Sequence, residues 1–465
     1  MILDNAPAMR RACMASVCVA ILGATWFVLM ILQHPSVNDL GARESGDRAA
    51  YVGIETRLRS LAEFPRARCL DGTPAAIYFR ASKSNLWFFY LDGGPDCTTA
   101  KQCRSLLAAG GSGSGRLRPT LEEHLGNRHP AEADLLSPDP SRNPLFFDAN
   151  VIHVPYCSAD FHAGQRGRPL ALNGSARALF AGRHVVEAAV DYALHALGLA
   201  AARRPMVLFG GVASGGAGVF RNIDFVSQRI VQANPAAQGK VLGLSIGGFS
   251  FYQQPYVGPN RSLPTVDLSE EGLREAHELH AAAVDDGCVA ALRPLGAVHR
   301  CSQPSESLPY IKTPVYVAQA QSDCVMTAAH GGAPPLTADL LAANSSAAMT
   351  VKAYYKRWST QMREALGVVR QSRQHGLFAP ACYSHVALAV GGESGGRAAL
   401  GPRIRQGAFQ YGLFPSLVEW MAQYEGNTLR VGRLLRSKVP TQLIDSCEGL
   451  LCGDPQAVPQ DFSCV

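Results

Sequence analysis

Residues 207–220, VLFGGVASGGAGVF, run from an apolar stretch through a glycine-rich turn into a segment with helical character. Serine hydrolases present their nucleophile on a turn of this kind, with the pattern Gly-x-Ser-x-Gly. From Gly211 the chain reads Gly-Val-Ala-Ser-Gly, so Ala213 occupies the nucleophile position and Ser214 follows one place late. The turn therefore indicates either a hydrolase fold without its nucleophile or an elbow that has shifted by one residue.

Two further residues complete a possible catalytic set with this turn. Asp323 ends an apolar stretch, and His385 follows a further helix, so the order is nucleophile, acid, histidine, as in α/β-hydrolases. The chemistry needs a hydroxyl, an imidazole that takes its proton and a carboxylate that fixes the tautomer of the imidazole. An aspartate at a strand end is by itself more often a turn residue, and a lone histidine is more often structural. Their order favours the functional interpretation.

The elements that would position these residues alternate between strands and helices. Alternation of this kind predicts a mostly parallel sheet with covered faces. In such sheets the chemistry lies at the carboxyl ends of the strands. The patterns predict strands at residues 86–94, 149–158, 205–211, 240–248 and 313–323, and helices around residues 50–64, 176–198, 214–231, 270–292 and 337–366.

Several longer stretches make the chain similar to the pectin acetylesterase and Notum family of serine esterases. The resemblance runs from about Cys69 to past His385, through CLDGTPAAIYF, FYLDGGPDC, NPLFFDANVIHVPYCSADFHAG, GGAGVFRNID, VYVAQAQSD and FAPACYSHVAL. It implies an α/β-hydrolase core, with helices on both faces of a mostly parallel sheet and an irregular disulfide-bonded cap. Members hydrolyse carboxylic esters, removing short acyl groups from pectin or a lipid from a secreted Wnt protein. No metal or other cofactor is implied.

The resemblance also assigns catalytic roles to individual residues. Asp323 matches the acid of the triad and His385 its base. Ala213 falls on the nucleophile, because the stretches before and after it align without a gap, whereas the family reads Gly-x-Ser-Ala-Gly-Gly there. Impaired catalysis is therefore expected. The alternative is an active serine esterase that uses Ser214 with His385 and Asp323.

The expected oxyanion hole departs from the family in a second way. Gly94, Pro95 and Ser214 match the positions whose backbone N–H groups stabilise the developing oxyanion. Pro95 has no N–H group to donate, and Asp96 places a negative charge beside the oxyanion. Loss of a single donor of this kind costs about 10²–10³ in rate. The sequence therefore predicts two defects in one site.

The cysteines are typical of an oxidising compartment, because eleven of them lie beyond residue 32. The resemblance implies three bridges and pairs Cys382 with one of the late cysteines. Cys324 is either buried or the odd thiol. The implied bridges are Cys69–Cys157, Cys97–Cys103 and Cys288–Cys301, and the late cysteines are Cys447, Cys452 and Cys464.

The first part of the chain predicts a membrane anchor. Residues 12–32 form an uncharged apolar run preceded by Arg10 and Arg11, and about 20 such residues span a bilayer core. A cleaved signal peptide is the alternative, but its apolar region would be shorter. We expect a cytosolic tail at residues 1–11, a connector at 33–68 and a lumenal or extracellular hydrolase domain at 69–465. The chain would then be a single-pass type II protein of the secretory pathway, in the Golgi or plasma membrane.

The remaining sequence features limit the kinds of molecule that the protein is expected to bind. The net charge of +6 is scattered along the chain, which argues against nucleic-acid binding. The expected ligands are an acylated polysaccharide, another glycoconjugate or a lipidated protein. His162 is a candidate for lining the cleft, but a position in a surface loop is the favoured interpretation. His277 and His280 are assigned to the exposed face of a helix. Three glycosylation acceptors would be used in a lumenal domain, namely Asn173, Asn260 and Asn344.

Overall fold

A computed structural model describes most of the chain after residue 55. The predicted anchor at residues 12–32 lies outside the described residues. Among the helices that are described, none combines the length and the apolar character needed to cross a membrane. The described residues are 56–110, 112–126, 135–140, 142–143, 145–172, 175–386, 402–406, 409–425 and 439–446.

A nine-stranded sheet organises the fold, with the strand order β1-β2-β4-β3-β7-β8-β9-β10-β13. All neighbours from β4 to β13 pair in parallel, whereas β2 is antiparallel to β1 and β4. The predicted α/β fold is confirmed. The strands of this sheet are β1 (Arg57–Ser60), β2 (Ala76–Arg80), β3 (Leu86–Leu91), β4 (Asn150–Val154), β7 (Met206–Val212), β8 (Val241–Ile246), β9 (Val315–Ala318), β10 (Gly376–Ala379) and β13 (Gln442–Ile444). Two small ribbons are formed by β5 (Leu170–Ala171) with β6 (Arg177–Ala178), and by β11 (Ile404–Gln406) with β12 (Phe409–Tyr411).

Helices cover both faces of the sheet. Successive side chains of a strand point to opposite faces; accordingly, Phe89 belongs to one apolar core and Phe88 and Tyr90 belong to the other. The first core includes residues of the helices at 182–195, 214–233 and 346–365, and the second includes residues of the helices at 121–125 and 413–422. The helices are α1 (Ala100–Ala108), α2 (Leu121–Leu125), α3 (Gly182–His195), α4 (Ser214–Ala233), α5 (Glu270–His280), α6 (Asp286–Leu292), α7 (Pro304–Ser307), α8 (Ala338–Ala342), α9 (Ser346–Ala365), α10 (Gly367–Arg370) and α11 (Leu413–Ala422).

Four predicted helices are wrong over at least part of their length. In the helix predicted at 176–198, residues 177 and 178 form the strand β6, and the helix predicted at 337–366 is broken between α8 and α9. Residues 57–60, inside the predicted helix at 50–64, form the edge strand β1, so the sheet includes residues that the sequence assigned to the connector. The helix predicted at 270–292 is interrupted after α5 by Ala281, which has a φ of 48°. There the chain pairs with the loop after β4, because the N–H of Ala283 donates to the carbonyl of Ala163 at 2.7 Å.

Disulfides hold the irregular segments around the sheet. All three bridges implied by the resemblance are formed. Cys324 is also disulfide-bonded, whereas Cys382 is a free thiol. The expected pairing of Cys382 with a late cysteine is therefore wrong, and the late cysteines themselves lie outside the described residues. Burial raises the pKa of the Cys382 thiol well above its usual value, so this thiol is held in its unreactive protonated form.

The direction of β1 fixes where the chain enters the fold. Arg57 pairs with Phe79, which in turn pairs with Ile152 of β4. Because β2 is antiparallel to both neighbours, β1 runs in the same direction as β4 and the other parallel strands. The chain therefore approaches β1 from the amino ends of the parallel strands, opposite the edge at which their carboxyl ends meet.

Candidate active site

The turn between β7 and α4 has the geometry of a nucleophile elbow, with Ala213 at its tip. Ala213 has φ 51° and ψ −119°, and a positive φ is uncommon for a residue other than glycine. The turn depends on glycine: a Cβ on Gly215 would lie 2.1 Å from the carbonyl oxygen of Leu91, and one on Gly211 would lie 2.5 Å from the carbonyl carbon of Gly215. The tip of the elbow therefore stays at residue 213.

The side chain of Ala213 lies between the ends of two neighbouring strands. A Cβ on Gly93, beyond β3, would lie 2.9 Å from the Ala213 Cβ. On the other side, Val212 pairs in register with Ile246 of β8, so Ala213 is adjacent to Gly247. A Cβ on Gly247 would lie 3.3 Å from the His385 ring. Ala213 and His385 thus both lie next to Gly247, at the carboxyl edge of the sheet.

Asp323 and His385 form a buried hydrogen-bonded pair at this edge. The Nδ1 of His385 lies 2.8 Å from one carboxylate oxygen of Asp323 and 3.0 Å from the other. The carboxylate also accepts hydrogen bonds from the Gln319 side chain at 2.9 Å and from the N–H of Met326 at 3.0 Å. Such a carboxylate holds the proton on Nδ1 and leaves Nε2 as the base.

A π-helix follows this acid directly, at Val325–His330. Short π-helical turns occur frequently at functional sites. Its last residue, His330, lies near both His385 and Asp323, and burial together with the repulsion of His385 lowers the pKa of His330 to about 4. His330 is therefore neutral at pH 7 and adds no positive charge beside the acid–histidine pair.

Ser214 faces away from this pair, toward the loop after β3. It is the first residue of α4 and is 7% exposed. Its hydroxyl oxygen lies 2.9 Å from the carbonyl oxygen of Gly94 and 2.8 Å from Oδ2 of Asp96. Within the described part of the chain, the hydroxyl of Ser214 is thus bonded to the predicted oxyanion loop and not to His385.

The sequence identified Asp96 as a nearby charge, but it missed the residues that hold this carboxyl. The hydroxyl of Tyr156 donates to Oδ1 of Asp96 and accepts a hydrogen bond from the N–H of Phe161 at 2.6 Å. The guanidinium of Arg221 lies 4.4 Å from the centre of the Phe161 ring. Burial raises the pKa of Asp96 to about 7. No sequence motif could have indicated this cluster, because its members come from three separate segments.

The loop that carries Tyr156 and Phe161 is tightly constrained. Ala159, Phe161 and His162 have φ values of 55°, 57° and 54°, and such backbone conformations persist only where the surroundings enforce them. His162 is 1% exposed, and its Nε2 lies 2.9 Å from the carbonyl oxygen of Asp92. The assignment of His162 to a surface loop is therefore wrong.

The histidines of α5 are also more enclosed than predicted. His280 is 1% exposed, and its Nε2 lies 2.8 Å from the carbonyl oxygen of Cys97. His277 is part-buried, with Nδ1 3.0 Å from the Ser302 hydroxyl. The exposed helix face predicted for them is wrong, because the backbone of Cys97 and the side chain of Ser302 contact this face. Of the predicted glycosylation acceptors, Asn260 and Asn344 are exposed and Asn173 lies outside the described residues.

A mostly parallel sheet, a strand–turn–helix elbow and an acid–histidine pair at its carboxyl edge define a fold of the α/β-hydrolase class. The profile of the Pectinacetylesterase family matches residues 52–393, well over half of the chain. The chain belongs to the pectinacetylesterase family.

Relatives from animals and plants match to a similar degree. The chain is 26% identical over 323 residues to the palmitoleoyl-protein carboxylesterase NOTUM of Drosophila melanogaster, a match that covers 69% of this chain and 43% of that protein. It is 27% identical over 353 residues to pectin acetylesterase 4 of Arabidopsis thaliana, covering 73% and 78%. The human NOTUM carboxylesterase is 26% identical over 326 residues, covering 68% and 58%. The match thus spans about half of the length of these animal relatives.

The fold is similar to that of a solved relative. The structure of the Wnt deacylase Notum from Drosophila superposes with a TM-score of 0.64 at 22% identity, covering 85% of this chain and 97% of that chain. A second crystal form gives a TM-score of 0.62. The relatives named above are carboxylesterases, so the family reaction is the hydrolysis of carboxylic esters.

Proposed function

We propose that this protein binds acylated ligands in an esterase cleft whose catalysis is impaired by the absence of the nucleophile. The observation that carries this proposal is the methyl group of Ala213 at the tip of an unshifted elbow, on the sheet edge that also carries His385. A methyl group cannot attack an ester carbonyl. In this proposal His385 and Asp323 remain as the base and the acid of an incomplete triad.

A weakened oxyanion hole supports the same proposal. Gly94, Pro95 and Ser214 hold the positions that stabilise the oxyanion in the family, but Pro95 has no N–H group. Losing one donor costs about 10²–10³ in rate, and an enzyme that lacks a triad member retains only about 10³–10⁴ over water, largely from this hole. With both defects, the rate of ester hydrolysis should be close to that of the uncatalysed reaction.

The ligand class follows from the relatives. The Arabidopsis relatives are named pectin acetylesterases, and the animal ones palmitoleoyl-protein carboxylesterases. We therefore propose an acetylated polysaccharide, another acylated glycoconjugate or a lipidated protein as the ligand, bound through its ester group. No cofactor or metal takes part in this proposal.

The test combines labelling with binding. Wild-type protein treated with a fluorophosphonate should show no added mass on Ser214, whose hydroxyl is bonded to Gly94 and Asp96. Calorimetry should detect binding of acetylated oligogalacturonide and none of the same oligosaccharide after chemical deacetylation. No acetate should appear during the incubation. Acetate release by wild type, or equal binding of both oligosaccharides, would contradict the proposal.

One observation favours a second candidate, an active esterase that uses Ser214 with His385 and Asp323. The hydroxyl of Ser214 lies directly after the elbow tip, and it would have to leave its hydrogen bonds to Gly94 and Asp96 to reach His385. This candidate requires wild type to take up the fluorophosphonate and to lose that label in a Ser214→Ala variant. The matched Ser250→Ala variant should then label like wild type, because Ser250 is a buried serine that hydrogen-bonds Gln303 instead.

We also propose that residues 12–32 anchor the domain in a membrane of the secretory pathway, with the cleft on the lumenal or extracellular side. The disulfides support this, since such bonds persist in oxidising compartments. The full-length protein should stay with membranes in alkaline carbonate, and glycosidase treatment should increase its mobility through loss of glycans at Asn260 and Asn344. Release of the protein by carbonate would argue for a cleaved signal peptide instead.

A further inference from the structure

The hydroxyl of Ser214 lies within hydrogen-bond distance of two oxygen atoms. One is the carbonyl oxygen of Gly94 at 2.9 Å, and the other is Oδ2 of Asp96 at 2.8 Å. A serine hydroxyl has a single hydrogen to donate, whereas a carbonyl and an ionised carboxylate only accept. An ionised Asp96 would therefore leave one of these two short contacts as an oxygen pair without a hydrogen between them.

A proton on Asp96 resolves this conflict. The protonated carboxyl donates to the Ser214 hydroxyl, which then donates to the carbonyl of Gly94. On the other side, the N–H of Phe161 donates to the Tyr156 hydroxyl, which donates to Oδ1 of Asp96. Each donor then has one acceptor, along a continuous chain from Phe161 to Gly94.

We propose that Asp96 carries a proton in this cleft and that the cleft binds an acyl ligand only while this proton is present. The second part rests on the proposed function. Asp96 is thereby a residue that determines specificity, since it follows Pro95, the position that has lost an oxyanion donor, and its carboxyl can be neutral or charged. The group of the ligand that is recognised is an uncharged carboxylic ester.

The groups around Asp96 bring its pKa close to neutral pH. Burial is the largest effect and raises the pKa of Asp96 to about 7. The nearby carboxylate of Asp160 raises the pKa further, whereas Arg221 and the hydrogen bonds from Tyr156 and Ser214 lower it. Asp96 therefore changes between its neutral and its charged form around neutral pH.

The protonation of Asp96 affects the binding of an ester because of where the carbonyl oxygen of the ester would lie. In the family the oxygen faces the backbone donors at Gly94 and Ser214. The Asp96 carboxyl is hydrogen-bonded to the Ser214 side chain, so an ionised Asp96 would oppose the partial negative charge of that oxygen. If only the protonated form binds and the pKa is about 7, the affinity falls about tenfold between about pH 6 and pH 8.

Infrared titration tests the proton without any ligand. The carboxylic acid C=O band in the difference spectrum between wild type and Asp96→Asn should be present at about pH 5.5 and absent at about pH 8.5, with a midpoint near 7. Subtracting the variant removes the bands of Asp160 and Asp285, whose pKa values burial raises to about 6. The exposed Asp339→Asn variant should give no such difference band. A difference spectrum without this band overturns the proposal.

A second variant keeps the test decisive if Asp96→Asn does not fold. Tyr156→Phe removes a hydrogen bond that lowers the pKa of Asp96. Its carboxylic acid band should persist to a higher pH than in wild type. An unchanged or lower midpoint would contradict the assignment of the proton to Asp96.

Calorimetry with acetylated oligogalacturonide then tests the link to binding. Wild type should bind about tenfold more weakly at about pH 8 than at about pH 6, whereas Asp96→Asn should bind equally at both, because its amide can donate to Ser214 at any pH. Wild-type binding that is independent of pH would overturn the link. Absence of binding at both pH values would overturn the proposed function, while the infrared result would still decide the state of Asp96.

Discussion

An Ala213→Ser variant is expected to gain esterase activity of about 10³-fold or more over wild type. Its new hydroxyl would stand at the elbow tip beside His385, whose Nδ1 is already held by Asp323 at 2.8 Å. A complete triad is worth about 10⁶ in kcat, and the missing oxyanion donor at Pro95 removes about 10²–10³ of the total rate. The gain should be visible as hydrolysis of 4-nitrophenyl acetate and as fluorophosphonate mass on residue 213.

The control for this gain is the same substitution one turn along α4. Ala217→Ser adds a hydroxyl to a buried position of the same helix without placing it at the elbow tip, and it should stay at the wild-type rate. The label of Ala213→Ser should persist when Ser214 is changed to alanine. An Ala213→Ser protein that folds but gains less than about tenfold would show that the rest of the site is no longer competent.

The second large effect is expected for Asp323→Asn in the Ala213→Ser background, with a loss of about 10⁴ in kcat. The Asp323 carboxylate accepts from three donors: the Gln319 amide, the N–H of Met326 and Nδ1 of His385. An asparagine has only one acceptor oxygen, and its NH₂ group would face at least one of these donors. The imidazole is then driven to the tautomer whose Nε2 carries the proton and cannot act as a base.

This loss should appear in kcat, with KM nearly unchanged, because Asp323 is fully buried behind His385 and does not reach the cleft. The matched control is Asp285→Asn, which changes another buried acid. Asp285 caps α6 through a hydrogen bond to the N–H of Cys288, and asparagine is an equally good cap. An increase in KM without a decrease in kcat, or equal decreases in kcat in Asp323→Asn and Asp285→Asn, would contradict the proposed role of Asp323.

The sheet was predictable from the sequence because buried parallel strands are continuous apolar runs. The runs that end near Gly94, Gly211 and Asp323 correspond to β3, β7 and β9. The chain order of the elbow, the acid and the histidine indicated which strand ends should meet. The pattern did not give the strands β1, β2, β10 and β13. The residues RLRS of β1 are mostly exposed and carry no apolar run, and β10 and β13 have only four and three residues.

Other features depended on contacts between distant segments. Three successive alanines favour a continuous helix after His280, yet the chain turns at Ala281 to pair with residues 163 and 164. The burial of His162 and His280 follows from the packing of the cap, which local polarity does not encode. The link between Asp96 and Ser214 joins residues 118 positions apart, so only the sheet register brings them together.

The course of β1 has a consequence for how the cleft would be presented. The chain reaches Arg57 from the amino ends of the parallel strands, while Ala213, Asp323 and His385 lie at the carboxyl ends. Residue 56, where the described chain enters the sheet, and the candidate site therefore lie toward opposite ends of the parallel strands, so a segment attached at residue 56 would not need to cross the site.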